Sequence, residues 1–419
     1  MNSSIIPLFG AGTARGGTGL VVQTLRANSH IELAMEPFLT AFKHYRLSVH
    51  QSLAELSNTP VPTFNDPIRA LYYTPDDLEY ANKILGAPGD YAIPAELLPE
   101  LQNGVKQRAE YDAADLMPFT DSLGGSTFSK FFASTLSMIQ EARPSDSMTH
   151  CGFLENWCAE FFPFLADHFP EAKFFLVVRD PRAVINSALN APPELRSTLL
   201  SFARSGRKNF DLFAHYSEDP RFQGRLCMVK FETLVKNPEK ISRQFCDFLE
   251  VDYQPEMIDP NYHVVPGSTE LRDGVSSFEA NVTGYSLERA NRWRQSLAPH
   301  IREFVDGSLY PELAAFGYVE HSTPPELTDE NIEAVITDPL VSDINPKWKV
   351  ETQPDSVEYN YEKQRAEIFS EAVRNPNTIT ESSARENFIS EQVMKKLVES
   401  ASAENTDGNW QSFDDLIFA

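Results

Sequence analysis

Two separated segments of the chain carry residues suited to binding phosphate groups. The first is ARGGTG at residues 14–19, where crowded glycines follow an apolar stretch and precede a helix-like run. Closely spaced glycines let backbone N–H groups approach an anion, and the dipole of a following helix favours negative charge there. Arg15 adds a permanent charge and Thr18 a hydroxyl donor. This segment therefore predicts a site for an anionic group.

The second segment begins at Arg179 and includes Ser187. Arg179 follows the apolar run 174–178, which is typical of a strand buried on both faces of a parallel sheet. Asp180 followed by proline predicts a helix start, so Ser187 lies about two turns into that helix. Both side chains would face the crevice beyond the carboxyl ends of the strands. A guanidinium and a hydroxyl converging there suit a phosphate monoester.

The elements that position these residues alternate along the chain. Apolar runs predict strands at residues 5–9, 31–35, 174–178 and 225–234. Helical periodicity predicts helices at residues 19–26, 237–251 and 288–305. This alternation predicts an α/β fold with a central, mostly parallel sheet flanked by helices.

Changes in composition along the chain predict a main domain, an insertion within that domain and a C-terminal extension. Residues 1–320 hold the phosphate-binding segments and form the main domain, within which residues 43–147 form an insertion that shapes the substrate site. Residues 321–419 form a partly helical, acidic C-terminal extension. From Glu320 onward, 21 acidic and 8 basic residues give a charge of −13.

Two other nucleotide-binding motifs fit the glycine loop less well. A Walker phosphate loop has the GxxxxG spacing of Gly12 and Gly17, but it needs lysine where this chain has Thr18. A dinucleotide fold would use Gly10, Gly12 and an acid such as Glu36, which ends the next predicted strand. Its glycine spacing differs from the one found here, and it leaves residues 169–190 unexplained. A non-catalytic nucleotide-binding protein and an NAD(P)-dependent oxidoreductase remain alternatives.

Taken together, the segments resemble the sulfotransferases that use 3′-phosphoadenosine 5′-phosphosulfate (PAPS). ARGGTGLVVQTL resembles the family's 5′-phosphosulfate loop, and FPEAKFFLVVRDPRAVINSAL resembles its 3′-phosphate segment. VKFETLVKNPEKISRQFCDFLEV and RANRWRQSLAPHIREFVDGSLYPELAAFGY resemble the segments that follow. The resemblance implies a P-loop-like sulfotransferase fold. It also implies sulfuryl transfer from PAPS to a hydroxyl or amine, with adenosine 3′,5′-bisphosphate (PAP) as product and no metal.

The resemblance also implies roles for individual residues. Arg15 would neutralise charge on the bridging oxygen, and Arg179 with Ser187 would bind the 3′-phosphate. The loop residues that would hold the 5′-phosphosulfate are Gly16, Gly17, Thr18 and Gly19. Arg272 and Gly274 are candidates for a late contact to the 3′-phosphate. The chain departs from the family pattern because Gly16 and Gly19 replace hydroxyl residues and Phe231 replaces a tyrosine.

Two residues are candidates for the general base. Glu36 ends the second predicted strand in MEPF, which resembles the glutamate-proline of tyrosylprotein-type members. His150 in MTHCGF sits where the cytosolic small-molecule branch carries its catalytic histidine. A histidine suits proton transfer near neutral pH. Glu155 ranks below both.

Composition limits the choice of partner. The net charge of −24 disfavours nucleic acid and anionic membrane as partners, and it mildly favours a small neutral or cationic acceptor. The four cysteines have no metal-ligand spacing. No stretch reads as a signal peptide or transmembrane span, so we expect a cytoplasmic protein. The sequence is compatible with assembly into a homo-oligomer.

Overall fold

The computed structural model describes residues 5–55, 61, 75–191, 198–263, 284–319, 325–342, 356–401 and 415–419. Within these ranges one sheet contains six strands: β1 (Ile6–Gly12), β2 (Ile31–Met35), β3 (His150–Asn156), β4 (Lys173–Val178), β5 (Leu226–Lys230) and β6 (Ile417–Phe418). The strand order is β2-β3-β1-β4-β5-β6, and only β6 runs antiparallel to its neighbour. The predicted mostly parallel sheet is therefore confirmed.

Helices cover both faces of this sheet. Those before β5 are α1 (Thr18–Arg26), α2 (Leu39–Ala54), α3 (Pro75–Gly86), α4 (Leu98–Asp112), α5 (Phe128–Ala142), α6 (Phe162–His168), α7 (Pro181–Leu189) and α8 (Leu199–Tyr216). Those from β5 to residue 319 are α9 (Phe231–Lys236), α10 (Pro238–Leu249), α11 (Leu287–Ala290), α12 (Trp293–Ser296), α13 (Pro299–Ser308) and α14 (Tyr310–Ala315). The remaining described helices are α15 (Asp329–Thr337), α16 (Pro339–Ser342), α17 (Ser356–Arg374), α18 (Glu381–Phe388) and α19 (Glu391–Ala401). In the ranges described, none of these helices has the length and hydropathy needed to cross a bilayer.

The connections create a crevice at the carboxyl end of β1. From β1 the chain passes beyond the position of β3 to form β2, and later it crosses from β3 to β4 on the other side of β1. Gly12 at the end of β1 lies beside Asn156 of β3 and Val177 of β4. The chain thus reverses direction across the sheet at β1, which is where open α/β sheets bind ligands.

Close packing explains one of the early glycines without any ligand. A Cβ atom at Gly10 would lie 2.2 Å from the ring of Phe175 on the neighbouring strand β4. Because protein interiors are close-packed, that ring leaves room only for glycine. The phenylalanines of residues 128–132 and 160–164 are also buried in the core.

Three elements differ from the prediction. The strand expected over 225–234 ends at Lys230, where α9 begins. The single helix expected over 288–305 is three short helices, because the chain turns at Asn291 and Pro299 opens a new helix. β3 was not predicted at all, although it lies next to β1 in the middle of the sheet.

The described part of residues 321–419 packs into the main domain. Glu362 of α17 forms ion pairs with Arg204 and Arg207 of α8, at 2.8 and 2.6 Å. Arg365 of the same helix pairs with Glu312 of α14 at 2.5 Å. β6 adds a final strand to the edge of β5. The described helices after residue 320 thus pack on the main domain and share its core.

Candidate functional site

A cavity of about 460 Å³ lies at the carboxyl edge of the sheet, at the crevice beside β1. The glycine loop and α1 form one wall, and β4 with α7 forms another. The residues from 260 to 263 and the helices α11 and α12 close a third side. The predicted site residues that line the cavity are Arg15, Gly17, Thr18, Gly19, Glu36, Arg179 and Ser187. The cavity therefore brings together the two phosphate-binding segments, which lie far apart in the sequence.

In the glycine loop, backbone conformation and close packing require glycine at residue 17. Gly17 precedes α1 with a φ of 86°, and a Cβ there would lie 2.1 Å from the ring of Phe231. Gly16 was predicted to hold the 5′-phosphosulfate but does not line the cavity; its amide nitrogen donates to the carbonyl of Thr13 at 2.8 Å. Asn209 of α8 donates to the Thr13 hydroxyl at 2.8 Å and anchors the loop. The loop is thus fixed in a shape that turns the start of α1 toward the cavity.

Arg15, Arg179 and Ser187 are in direct contact. The Nε atom of Arg15 donates to the Ser187 hydroxyl at 3.1 Å, and Nη1 of Arg179 donates to the Arg15 carbonyl at 3.1 Å. These bonds join the loop after β1 to the helix after β4. The convergence predicted for Arg179 and Ser187 is present, and Arg15 takes part in it.

The two guanidinium groups raise the positive potential of the cavity. Burial, together with the nearby charge of Arg179, lowers the pKa of Arg15 to about 10. Burial also lowers the pKa of Arg179. Glu232 and Asp180 favour the charge of Arg179, and an anion bound beside the two guanidinium groups would reduce their mutual repulsion further. The Nε atom of Arg179 is buried and has no hydrogen-bond partner among the described residues, which fits an anionic ligand.

Neighbouring side chains hold Arg179 in place. Its guanidinium lies 4.7 Å from the centre of the Phe231 ring, which also packs on Gly17. Glu232 accepts from the Asp180 amide at 3.1 Å and from the Tyr318 hydroxyl at 3.2 Å. The phenylalanine that replaces the usual tyrosine thus still joins the two phosphate-binding segments.

Glu36 reaches the cavity from the end of β2. Its backbone amide donates to the carbonyl of Leu154 at 2.9 Å. Its carboxylate accepts a hydrogen bond from the side chain of Asn156, the last residue of β3. Arg108 of α4 lies 3.6 Å from the other carboxylate oxygen. Glu36 is therefore an oriented carboxylate on the wall of a cationic cavity, as a general base requires.

Backbone strain is concentrated at this edge. Arg15, Glu36 and Trp157 follow three adjacent strands, and their φ angles are 69°, 58° and 73°. Each such residue costs about 1–2 kcal/mol in this left-handed region. Residues held in costly conformations cluster at functional sites. The strain marks the same edge as the cavity.

The structure does not bring His150 to the cavity. His150 begins β3 and pairs in register with Ile6 and Ile31, at the amino ends of their strands. Burial lowers its pKa to about 4, and its Nδ1 atom lies 3.0 Å from the Thr149 hydroxyl. His150 is therefore at the wrong end of the sheet for a base. Glu155 is buried behind the cavity wall, and Arg272 and Gly274 lie outside the described residues.

Several cavity residues were missed by the sequence analysis. Asn156 was overlooked because β3 itself was not predicted. Arg289 and Arg292 add two cations to the third wall, and the closely spaced basic residues of ERANRWR were the available signal. Asp112, at the end of α4, shows that the predicted insertion reaches the cavity. Among the described residues, no group of three metal-ligating side chains is placed to hold an ion.

Comparison with known protein families identifies this arrangement. Residues 126–255 match a family described as "Sulfotransferase family". This part of the chain is therefore similar to the sulfotransferases. The matched segment includes β3, β4 and α7, and therefore Asn156, Arg179 and Ser187.

Curated proteins that resemble this chain match only part of its length. The protein-tyrosine sulfotransferase of Drosophila melanogaster is 26% identical over 168 residues, which is 39% of this chain and 33% of that protein. Carbohydrate sulfotransferase 1 of Danio rerio is 21% identical over 179 residues, 39% of this chain and 42% of that protein. The chain thus spans less than half the length of either relative. The sulfotransferase domain from the curacin biosynthetic pathway is 17% identical, with a TM-score of 0.37; the match covers 71% of this chain and 93% of that domain.

Proposed function

We propose that this protein transfers a sulfuryl group from PAPS to a hydroxyl or amine acceptor. One observation carries the proposal: Arg15 and Thr18 of the first segment line the same cavity as Arg179 and Ser187 of the second. PAPS carries phosphate groups on the 3′ and 5′ oxygens of one ribose, so it needs anion-binding groups from more than one segment in a single cavity. The family match and the names of the relatives support sulfuryl transfer at such a site.

The residues present suit the two ends of this donor. The backbone N–H groups at the start of α1, with Thr18, would hold the 5′-phosphosulfate, since a helix N-terminus favours negative charge. Arg179 and Ser187 would hold the 3′-phosphate, and the unpartnered Nε atom of Arg179 supplies a donor for it. Arg15 would neutralise charge on the oxygen that links sulfur to the departing phosphate.

In this mechanism Glu36 takes the proton of the acceptor. The acceptor oxygen or nitrogen forms a bond to sulfur while the bond from sulfur to the 5′-phosphate oxygen breaks. The electron pair of that bond stays with the phosphate, and PAP leaves. Positioning and preorganised charge supply most of the rate, and a base typically contributes about 10²–10⁴-fold.

We propose a small acceptor that is neutral or cationic. The net charge of −24 disfavours the approach of an anionic acceptor, and Asp112 adds a carboxylate to the cavity that holds the base Glu36. The relatives include enzymes named for protein tyrosine and for carbohydrate, which are hydroxyl acceptors. Acceptors to screen are therefore phenols, carbohydrates with free hydroxyl groups, and amines.

The strand order argues against a dinucleotide-binding oxidoreductase. In that fold the strand whose terminal acid binds the ribose lies beside the strand that precedes the glycine loop. Here β3 separates β2 from β1, so Glu36 is one strand removed from the loop strand. Glu36 instead contacts Asn156 of β3.

Ligand binding and transfer test the proposal together. PAP at 100 times its dissociation constant should stabilise the protein by about 2.7 kcal/mol in a thermal-shift assay. NAD and ATP should produce little shift. Labelled PAPS should then transfer its sulfuryl group to at least one acceptor of the panel. A thermal shift with NAD but none with PAP would overturn the proposal.

Replacement of the base separates an enzyme from a nucleotide-binding protein. We expect Glu36→Gln to retain the thermal shift with PAP and to lose about 10²–10⁴-fold in transfer rate. His150→Gln is the matched control, since His150 lies at the opposite end of the sheet. If His150→Gln lost the activity and Glu36→Gln kept it, the base would be assigned wrongly.

A further inference from the structure

The end of β3 runs alongside the turn that carries Glu36. Met35 pairs in register with Leu154, so the residues after Met35 lie beside Glu155 and Asn156. Both side chains of this pair are buried, with 1% and 4% of their surfaces exposed. We therefore expect these two consecutive polar side chains to have hydrogen-bond partners, because the burial of a polar group without one costs free energy.

Asn156 contacts the carboxylate itself. Its Nδ2 group donates to Oε1 of Glu36. Its Oδ1 atom is buried and has no hydrogen-bond partner among the described residues. Among the described residues, no hydrogen bond to Oδ1 therefore competes with the bond to Glu36 for the orientation of this amide group. Arg108 adds a bond of 2.9 Å to the Glu36 carbonyl.

Glu155 contacts the backbone of the same turn. Its Oε1 atom accepts from the amide nitrogen of Phe38, the residue before α2. The side chain of Phe38 cannot cap the helix, so a carboxylate from the neighbouring strand satisfies this donor. This bond lies two residues from Glu36, whose φ of 58° needs an external restraint.

We propose that Asn156 and Glu155 are positioning residues for the base Glu36. Asn156 fixes the direction of the carboxylate, and Glu155 fixes the strained turn beneath it. The inference rests on the proposed function, because it assigns a role to side chains that act through Glu36. Neither residue exchanges a proton with the acceptor.

The charges around Glu36 define what a pH profile reports. Arg108 faces it from α4, Glu155 faces it from β3, and Arg15 and Asp112 line the same cavity. Burial, with a contribution from Glu36, raises the pKa of Glu155 to about 8. Glu155 is thus mostly protonated at neutral pH. A neutral glutamine should replace Glu155 without loss of its bond to Phe38.

The test compares variants that keep or remove each bond. Sulfuryl transfer from labelled PAPS is measured to tyrosine amide and, without an acceptor, to water. We expect Asn156→Ala to lower kcat about tenfold with the KM for PAPS within twofold of wild type. Asn156→Asp places a second carboxylate against Glu36, so the acidic limb of its rate profile should move to higher pH by about one unit. Glu155→Gln should keep the wild-type kcat, whereas Glu155→Ala should lose about tenfold.

The control variant is Asn190→Ala, and binding of PAP to the wild-type protein is the second measurement. Asn190→Ala also alters the cavity wall, but Asn190 bonds to Asn186 and not to Glu36. It should change the KM for PAPS without moving the acidic limb. An unchanged acidic limb in Asn156→Asp, or equal losses in Glu155→Gln and Glu155→Ala, would overturn the positioning role. Failure of the wild-type protein to bind PAP would overturn the proposed function instead. If Asn156→Ala does not fold, the nearly isosteric Asn156→Asp decides.

Discussion

Arg15 and Arg179 lie together at the inner end of the cavity, and burial weakens the hydration of both charges. Such a pair of charges lowers the stability of the unliganded protein and contributes to its affinity for an anion. The gain depends on geometry as well as charge, since a guanidinium offers two parallel donors to a phosphate. At the scale of single residues, replacing one arginine by lysine separates the two contributions.

We expect Arg179→Lys to weaken PAP binding by about 10–100-fold, as loss of charge-assisted hydrogen bonds does. Isothermal titration calorimetry measures the change. Arg294→Lys is the control, because Arg294 lies 4.8 Å from the Trp293 ring and does not line the cavity. Equal affinity in Arg179→Lys and wild type would show that Arg179 does not bind the nucleotide.

At the scale of elements, the glycine loop depends on one contact with α9. Gly17→Ala would place a methyl group 2.1 Å from the Phe231 ring, at a residue whose φ is 86°. We expect this change to cost about 1–2 kcal/mol in backbone strain alone and to weaken PAP binding. Urea unfolding and calorimetry measure the two effects.

The control for Gly17 is the last residue of α3. A Cβ at Gly86 meets no heavy atom within 4 Å, so Gly86→Ala should be neutral or slightly stabilising. Gly17→Ala combined with Phe231→Leu should recover part of the loss, since the smaller side chain yields space. Full stability and affinity in Gly17→Ala would contradict the proposed loop geometry.

The bond from β3 to the start of α2 predicts a pH dependence of stability. Burial raises the pKa of Glu155 from its ordinary 4.5 to about 8. Between these values the folded protein binds a proton that the unfolded chain releases, so the free energy of unfolding falls as pH rises. The loss approaches about 1.4 kcal/mol per unit of pKa shift.

Glu155→Gln removes this titration and should flatten the profile. We expect the variant to match wild type in urea at pH 5 and to exceed it at pH 8.5. A wild-type profile with the same slope as that of Glu155→Gln between these values would show that Glu155 is not perturbed.

At the scale of the whole molecule, the described residues after 320 contribute to the core. The sequence alone predicts this part as an acidic extension of the main domain. In the structure, truncation would remove Glu362 from Arg204 and Arg207 and uncover the side chains packed beneath α17 and α19. We therefore expect a protein that lacks 321–419 to be insoluble.

A single substitution tests the same contact without truncation. The attraction of Arg207 and Arg204 outweighs burial and lowers the pKa of Glu362 to about 2. Glu362→Gln leaves two buried arginines without their shared carboxylate and should cost about 3–5 kcal/mol. Glu367→Gln, at an exposed position of the same helix, should cost less than about 0.5 kcal/mol. Similar urea midpoints for the two variants would contradict this role of Glu362.

The sequence was sufficient for the features that depend on local pattern. The apolar run before Arg179 predicted β4, and Asp180 predicted the start of α7, whose cap it provides. Glu36 was a candidate base because it ends a predicted strand in MEPF, which resembles the glutamate-proline of tyrosylprotein-type members. These signals are local, because each follows from neighbouring residue types.

The features that were missed depend on contacts between distant residues. β3 contains Gly152, where a Cβ would lie 1.7 Å from the Leu8 carbonyl, so its composition reflects its neighbour and not strand propensity. His150 was a candidate base because register was unknown, and register decides which end of the sheet a residue occupies. The packing of α17 on the main domain involves ion pairs of Glu362 and Arg365 with distant residues, which no local pattern reveals.

The pairing of β5 with β6 also bears on how the chain is made. Cys227 and Phe418 are partners in the sheet, yet the ribosome joins nearly two hundred amino acids between them. Until that synthesis is complete, the nascent chain presents a bare β5 edge that invites association with other chains. Chaperone occupancy during translation should therefore persist well after β1 to β5 have emerged.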